Sequence, residues 1–537
     1  MMNKSKWLIG AMYTFLVISI LSSCNKPDLN KISGIQWDPN LATPIGYADF
    51  GVYDVLAAKD SNDLVIVNPL DGALALTYDG QIVSVTAQDV IPMNNLSQQF
   101  SLVPSDLNLV ASGSFNGSIN SSNTENIDIP TSNGIELHTV EFNSGSMNIN
   151  VSTTLEHDIT LNITFPDLIS SGSAVTKNIN LSYGGSVPQV TNSVVDLSDV
   201  IADYTAGGST VNRIRANVNA TITGTGQPIA GNENFDMTID LSNMVFKNAI
   251  GYFGQQTLGA QSDSILIKIF NNATTGTFSF TNPSLKFTID NSFGMPITMN
   301  FANLESINTQ TGQVTPLTGY PSTLAINAPT SMGQTATTSM TMNTSNTTNL
   351  STIISPTPKY LNYSVSAATN PAGQTGPLNF IEAASKFEVN AELTLPLEGY
   401  AYGFSANDTM PYNFSGNADN IESAMFRFNV TNGFPVSVDA QATFVDANYI
   451  PIFSLVTTPV EVVSAAPVNS SGKVTSSVNK ITDVTLNKSQ INLLDQVKYV
   501  IISGTGATTT PQQTVVKLYD GYRLAFKIGM QVQLKVD

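Results

Sequence analysis

Short segments in which apolar and polar residues alternate recur along most of this chain of 537 residues. A period of two places apolar side chains on one face of a β-strand, whereas a helix needs a period near 3.6. Clusters of Gly, Asn, Asp, Pro and Ser separate the segments, as is typical of turns between strands. The pattern predicts an all-β fold with few short helices. Representative segments are 63–67, 81–86, 147–151, 285–289, 426–430 and 530–536.

Some of these segments repeat at a nearly constant spacing. The stretch 138–151 (HTVEFNSGSMNINV) aligns with 276–289 (GTFSFTNPSLKFTI), so that equivalent apolar positions lie 138 residues apart. A third copy begins at Ile421. A unit of this length is a normal size for a β-sandwich, so the repeat predicts several sandwich-like domains in tandem. The predicted repeat hairpins are 138–164, 276–300 and 421–439.

Two of the predicted hairpin turns, NSFGMP and TNGFP, share the order Asn, Gly and Pro. Pro296 and Pro435 are expected just before the second strand, where a missing N–H does little harm. We expect at least one of Gly294 and Gly433 to have positive φ, because glycine adopts that conformation without a Cβ clash.

The repeat and the local composition divide the chain into six segments. Hydrophobic residues make up 42% of the sequence, which is enough for packed cores. The predicted order is a signal peptide, a tether, an N-terminal β region and three β-sandwich repeats. These segments are 1–23, 24–35, 36–110, 111–250, 251–375 and 376–537.

The charge balance excludes one broad class of function. Lys and Arg total 22 against 40 Asp and Glu, a formal net charge of -18. Nucleic-acid binding needs clustered cations that neutralise phosphates, so we expect no nucleic-acid partner. The sequence contains one cysteine, which excludes an intrachain disulfide and a cysteine-based zinc site.

That cysteine, Cys24, follows a signal-like segment. Lys4 and Lys6 precede the apolar run WLIGAMYTFLVISI, which is shorter than the ~20 residues of a permanent membrane span. Residues Leu21–Cys24 (LSSC) then resemble the lipobox of bacterial lipoproteins. The resemblance implies cleavage before Cys24 and attachment of lipid, including palmitate, at this residue. Two or three acyl chains hold a protein stably at a membrane.

Residues beyond the cysteine carry weaker resemblances. Trp37, Ala42 and Pro44 resemble the start of many outer-membrane lipoproteins of unknown function from the Bacteroidota. This implies an outer-membrane anchor, either at the cell surface, which we favour, or facing the periplasm. The hairpins with Asn and Pro in their turns resemble the β domains of late-embryogenesis-abundant type 2 proteins and, more loosely, of tubular lipid-binding proteins.

Groups able to carry out catalysis are few. The two histidines, His138 and His157, lie in one repeat copy, and the equivalent positions of the next copy are Gly276 and Met295. Paired carboxylates, which glycosidases need, occur without supporting context. We therefore expect no catalytic residue, no enzyme activity and no cofactor. The carboxylate pairs considered are Asp236 with Asp240 and Glu382 with Glu388.

Two kinds of ligand site stay open at the level of sequence. The run from Asp60 to Asp63 offers oxygen ligands for calcium, but it lacks the ligand spacing of a twelve-residue calcium loop, so a plain Asx-rich turn is favoured and no metal site is predicted. Tyr400, Tyr402 and Tyr449 could form a platform for glycans, or serve in the core and in turns.

Two tripeptides, DSI and DTM, resemble the O-glycosylation site of the Bacteroidota, in which Asp precedes Ser or Thr and an apolar residue follows. The resemblance implies Ser264 and Thr409 as acceptors. With this content of Ser and Thr, about two matches also arise by chance.

Three functions fit an anchored, acidic β protein of this kind. The first is a binding or scaffolding subunit with a protein partner in the outer membrane, for example beside a β-barrel transporter or an assembly machine. The second is a carrier of lipid or of another hydrophobic ligand, and the third is a surface glycan-binding protein. An apolar cavity would favour the second function, and a shallow groove with exposed Tyr side chains would favour the third.

Overall fold

The computed structural model describes residues 39–56, 65–208, 210–267, 275–308, 311–347, 349–412 and 418–535. Strands dominate these ranges and the helices in them are short, which confirms the predicted all-β class. None of those helices is long and apolar enough to cross a membrane. The α-helices are α1 (Val52–Leu56), α2 (Ala87–Val90), α3 (Leu350–Ile354) and α4 (Lys488–Ile491), and 3-10 turns cover Pro104–Leu107, Ala418–Asn420 and Leu494–Gln496.

The first strands of the chain pair with strands that come much later in the sequence. β1 runs antiparallel to the last strand, with Asn40 opposite Gln533. β3 pairs in the same way with a strand that ends at Pro396. The N-terminal strands thus complete sheets that the distant part of the chain builds. They are β1 (Asn40–Gly51), β2 (Val65–Val67) and β3 (Leu74–Thr86).

The first sandwich takes all of its main strands from residues 96–252. One sheet has the order β4-β12-β6-β9 and the other has the order β5-β11-β7-β8. The short β10 pairs with both β6 and β7 and so joins the two sheets. The strands are β4 (Leu96–Leu102), β5 (Ser118–Asp128), β6 (Glu136–Thr153), β7 (Asp158–Ser170), β8 (Ser173–Leu181), β9 (Gln189–Asp196), β10 (Ile201–Asp203), β11 (Arg213–Thr223) and β12 (Phe235–Tyr252).

The second sandwich combines β3 with strands from residues 257–396. Its sheets have the orders β3-β22-β15-β19 and β13-β20-β16-β18. The strands of this part are β13 (Thr257–Leu266), β14 (Thr275–Phe280), β15 (Ser284–Asn291), β16 (Ile297–Ile307), β17 (Val314–Pro316), β18 (Thr323–Ile326), β19 (Ala336–Asn343), β20 (Tyr360–Thr369), β21 (Asn379–Glu382) and β22 (Lys386–Pro396).

The third sandwich combines β1 with the C-terminal strands. Its sheets have the orders β1-β31-β24-β28 and β23-β29-β25-β27. β14, from the preceding part of the chain, adds to β23 at the edge of the second of these sheets. The strands are β23 (Glu398–Pro411), β24 (Ile421–Asn432), β25 (Val436–Val445), β26 (Pro451–Ser454), β27 (Val460–Val463), β28 (Val478–Leu486), β29 (Tyr499–Thr508), β30 (Val516–Lys517) and β31 (Arg523–Leu534).

All three sandwiches have the same topology. If the eight main strands of each are lettered A to H in chain order, one sheet is always A-H-C-F and the other is always B-G-D-E. Eight strands in this arrangement form a jelly roll. The predicted tandem of sandwiches is therefore a tandem of jelly rolls. The repeat seen in the sequence corresponds to strands C and D, except that residues 276–280 of the second copy form the separate strand β14.

The repeat segments are not hairpins, contrary to the sequence prediction. Strand C lies in one sheet and strand D in the other, so the two strands pair with other partners and not with each other. In the second sandwich Phe287 on strand C and Phe301 on strand D pack against each other between the sheets, with ring centroids 5.1 Å apart. An alternating pattern shows which side chains face the core, and that face is the same whether two strands are neighbours or lie opposite.

A buried polar residue, and not a glycine, turns the chain between strands C and D. Asn432 accepts a hydrogen bond from the backbone N–H of Phe434 at 2.8 Å, and Asn291 forms the same turn in the second sandwich. Thr153 is the equivalent residue in the first. Neither Gly294 nor Gly433 has positive φ, so that prediction is wrong. The side-chain acceptor makes a left-handed residue unnecessary.

Strand A of each sandwich comes from the same short N-terminal stretch. β1, β3 and β4 supply strand A to the third, second and first sandwich, in that order along the chain. Strands B to H of the three sandwiches then follow in the opposite order. Strand pairing thus crosses the segment boundaries predicted from the sequence, and those boundaries stay predictions.

Candidate functional site

The third sandwich is packed less tightly than the second. On β15 every second residue from Leu285 to Asn291 is buried, as expected for a strand that covers a filled core. On β24 the equivalent inward positions include Phe426 and Phe428, which are only half-buried. Ile502 faces the same interior from β29 and is 38% exposed. These inward side chains of the third sandwich are therefore less well covered than their equivalents in the second.

A cavity of about 280 Å³ lies at the end of this interior that is nearer the second sandwich. One wall is aromatic, and in it the ring centroid of Phe278 lies 6.4 Å from that of Phe280 and 5.4 Å from that of Phe404. The remaining walls are mainly aliphatic. They include Leu397, Ala401, Val436, Val438, Val463, Val516, Leu518 and Leu524.

Two buried polar side chains line the cavity, and both are satisfied by the protein backbone. Asn432 Nδ2 donates to the carbonyl oxygens of Phe434, Val436 and Ser464 at 2.8–2.9 Å. Thr508 Oγ1 lies 3.2 Å from both the N–H and the carbonyl oxygen of Ala401. These groups have little capacity left for a ligand, so the cavity is suited to apolar molecules.

An ion-pair cluster stands beside the cavity. Lys517 Nζ lies 2.8 Å from Asp71 and 3.0 Å from Glu398, which is itself a lining residue. The hydrogen bond from Lys517 holds the pKa of Asp71 below its ordinary value. Both partners raise the pKa of Lys517, so the cluster carries two negative charges and one positive charge at neutral pH.

A second, shallower depression lies on the outer surface of the third sandwich. It is lined by Pro44, Gly46 and Tyr47 of β1 together with Arg427, Asn429 and Lys527 of the neighbouring strands. Tyr47 is 83% exposed, and a β-bulge between Pro44 and Gly46 shapes the floor. An exposed ring beside hydrogen-bond donors could bind a polar molecule such as a sugar. Nothing in the sequence marks Tyr47 as a binding residue, because an isolated Tyr in a strand gives no signal.

The three tyrosines considered for a glycan platform do not come together as one. Tyr400 lines the apolar cavity and Tyr402 is half-buried nearby. Tyr449 lies in a turn and stacks on Tyr499, with ring centroids 4.8 Å apart. These tyrosines thus occupy core and turn positions, which was the alternative to a glycan platform in the sequence prediction.

Two sequence candidates lie outside the described residues, namely Cys24 and the run from Asp60 to Asp63. Within the described ranges, no group of three or more His, Cys, Asp or Glu side chains is placed to hold a metal ion.

Ser264 and Thr409 occupy equivalent positions on strand B of the second and third sandwich. Ser264 pairs with the third residue of β20, and Thr409 pairs with the third residue of β29. Asn126 holds the same position in the first sandwich, where the sequence reads Glu-Asn-Ile. The order acid, polar, apolar is therefore a feature of the repeated strand. Modification of Ser264 and Thr409 stays a prediction.

The candidate catalytic carboxylates make ordinary structural contacts. Asp236 accepts from the hydroxyl of Ser101 at 2.6 Å, and Asp240 accepts from Asn150 at 2.8 Å. Glu382 accepts from the N–H of Gly333. Among the contacts of the described residues, no two of these carboxylates share a pocket with a histidine.

His157 is fully buried in the first sandwich. Its Nδ1 lies 3.2 Å from the hydroxyl of Thr225, and its Nε2 has no hydrogen-bond partner. Burial lowers the pKa of this imidazole, an effect that the nearby carboxylates of Glu233, Glu156 and Asp158 oppose in part. The side chain is thus held neutral inside the core, where it is placed to support packing.

The first prediction concerns this histidine and pH. Because the folded-state pKa lies below the unfolded value of ~6.5, the unfolded chain takes up a proton first as pH falls. We therefore expect the free energy of unfolding to decrease as pH falls below that value, and His157→Gln to weaken this dependence. Melting curves between pH 4.5 and 7.5 measure it. An unchanged pH dependence in the variant would contradict the assignment.

No family model matches the chain, and no curated protein matches it. A protein of Parabacteroides distasonis described as secreted is 15% identical with a TM-score of 0.30, covering 52% of this chain and 82% of that one. The match to a chain of empty cowpea mosaic virus particles (9% identity, TM-score 0.15) covers 64% of this chain and 95% of that one. The match to the PBSX exported protein XepA (10% identity, TM-score 0.14) covers 63% of this chain and 99% of that one. Similarities this low do not establish a shared fold or function. The jelly-roll assignment is based on the strand pairing alone.

Proposed function

We propose that this protein is a non-catalytic lipoprotein of the bacterial outer membrane, anchored through Cys24, which presents its jelly rolls as a binding or scaffolding subunit to a protein partner. The observation that carries the proposal is the position of β1. Asn40 lies opposite Gln533 at the end of the third sandwich, sixteen residues after Cys24. Under this proposal β1, the first described strand after Cys24, belongs to the third sandwich.

The order of the strands supports a scaffold more than a catalyst. From Asn40 the chain passes along the third, then the second and then the first sandwich before it returns. The first sandwich is thereby the last in the series counted from the anchor. His157 and the carboxylates examined above make structural contacts, which fits a role carried out by surfaces.

The second prediction tests the anchor. Cys24→Ala should remove the protein from the outer-membrane fraction, because the chain then lacks the thiol that carries the acyl groups. The variant also loses the predicted cleavage site, so the apolar segment before it can still hold uncleaved precursor in the inner membrane. Fractionation that separates the two membranes, with a high-salt wash, measures this. Cys24→Ser, which also lacks the thiol, is the matched variant. If either variant stays in the outer membrane, the anchoring through Cys24 is wrong.

Deleting the first sandwich tests the scaffolding role. Residues 94–253 hold all eight of its main strands. In the second sandwich the side chain of Val83 on β3 lies against Gly259 on β13, where a Cβ would be 2.3 Å from it. A short linker from β3 to β13 should therefore leave an anchored chain with two sandwiches. Crosslinking in membranes should recover the partner with the full chain and not with the shortened one. Equal recovery with both would place the partner surface elsewhere.

A further inference from the structure

The interior of the third sandwich has smaller side chains than that of the second at several positions that the shared topology makes equivalent. Phe301 pairs with Val365 in the second sandwich, and Ala440 pairs with Gly504 in the third. Farther along the same strands Phe444 stands where the second sandwich has Ser306, so the difference in volume is reversed there. Five equivalent pairs on strands D and G have the smaller residue in the third sandwich, namely Met299 and Val438, Phe301 and Ala440, Leu304 and Ala442, Val365 and Gly504, and Ala367 and Gly506.

In each pair the third sandwich has the smaller residue, and other side chains refill the space only in part. The ring of Phe404 lies over Gly506, where a Cβ would be 2.1 Å from it. The same ring lines the cavity, and of the five smaller residues Val438 lines it as well. Empty space within a core lowers the stability of a protein, so an apolar cavity of this size in the third sandwich needs an explanation.

We propose that the third sandwich binds one uncharged apolar molecule in this cavity. Its walls are carbon, and the buried polar groups on them, Asn432 and Thr508, already have backbone partners. A cavity of about 280 Å³ is nearly twice the ~150 Å³ of an engineered apolar cavity that takes up benzene. The inference goes beyond the anchoring role and does not depend on it.

The charges near the cavity set the chemistry of the ligand. Glu398 and Asp71 share the single cation of Lys517, which leaves a net negative charge beside the lining. The lining residues of the described structure include no Lys or Arg. A carboxylate or phosphate on the ligand would be repelled there, so a neutral alcohol or hydrocarbon is favoured over a fatty acid anion.

The experiment uses residues 24–537 with Cys24→Ala, so that the chain carries neither an acyl group nor the apolar segment before Cys24, which would itself bind the probe. The probe is N-phenyl-1-naphthylamine, an uncharged dye that fluoresces in apolar surroundings. We expect saturable binding of one molecule and competition by n-decanol. Decanoate, which has the same chain length and a negative charge, should compete at least tenfold more weakly at neutral pH.

Val438→Phe fills the cavity, and Val190→Phe is the control, because Val190 is 70% exposed on the first sandwich. We expect Val438→Phe to weaken dye binding at least tenfold without lowering Tm, and Val190→Phe to leave binding unchanged. A lowered Tm for Val438→Phe would mean that the space is already filled, which overturns the proposal. So would absent saturation, equal binding by both variants, or equal competition by decanoate and n-decanol.

Discussion

A fragment of residues 94–253 is expected to fold on its own, whereas fragments 254–396 and 397–535 are expected to lack a cooperative transition. The first fragment contains strands A to H of its sandwich. The other two lack strand A, which β3 and β1 supply from the N-terminal stretch. Without it, strand H becomes an unpaired edge and one side of the core is uncovered.

The size of this effect follows from the pairing of β1. Eleven residues of β1 pair with β31. At ~0.5–1.5 kcal/mol net for each backbone hydrogen bond, their loss is comparable with the ~5–15 kcal/mol that stabilises a whole domain. Circular dichroism melts of the three fragments measure the outcome. Adding a peptide of residues 39–51 to fragment 397–535 should restore a transition, as strand addition does at other sheet edges. A fragment 397–535 that folds without the peptide would show that β1 is dispensable.

The second large effect is expected at Gly399, where β14 approaches β23. Gly399 has φ +152, and a Cβ there would lie 1.7 Å from the carbonyl oxygen of Ser279. Gly399→Val must therefore push the two strands apart and strain the backbone, and we expect it to lower the free energy of unfolding by ~3 kcal/mol or more.

Gly80→Val is the matched control for that substitution. Gly80 lies within β3, and a Cβ at this position would meet nothing within 4 Å. Valine is favoured in strands, so this variant should be neutral or slightly stabilising. Thermal melts of both variants measure the difference. If Gly399→Val is as stable as Gly80→Val, the close approach of β14 and β23 does not occur in solution.

Local patterns in the sequence were sufficient to predict the class of the fold and its repeat. Apolar residues of strand C, such as Met147 and Leu285, alternate because every second side chain faces a core, and that is a local property. Partner choice is not local. Nothing in the residues of β1 distinguishes β31 from another strand as its neighbour, so the N-terminal stretch looked like a region of its own.

The turn between strands C and D shows a second limit. Gly and Pro are strong turn signals, and they drew attention to Gly433 and Gly294. The residue that makes the turn is Asn432, whose side chain accepts from Phe434. A buried Asn and an exposed one look alike in a sequence, and the difference depends on what packs around them.

The cavity could have been anticipated in part. The alignment of the repeat copies places Ala440 at the position equivalent to Phe301. A small residue in place of a large one at a core position is visible without a structure. What the sequence does not show is whether a neighbour refills the space. Phe404 does so in part, from a strand outside the aligned segments.

The pairing of the first strand with the last also determines how the protein would carry a mechanical load. If the chain is anchored through Cys24 as we propose, a pull on the anchor reaches Asn40 first. The component of that force along β1 shears β1 against β31, and the eleven paired residues then bear the load together instead of opening one after another. The first strand is thereby attached by a pairing that resists such a pull along its whole length.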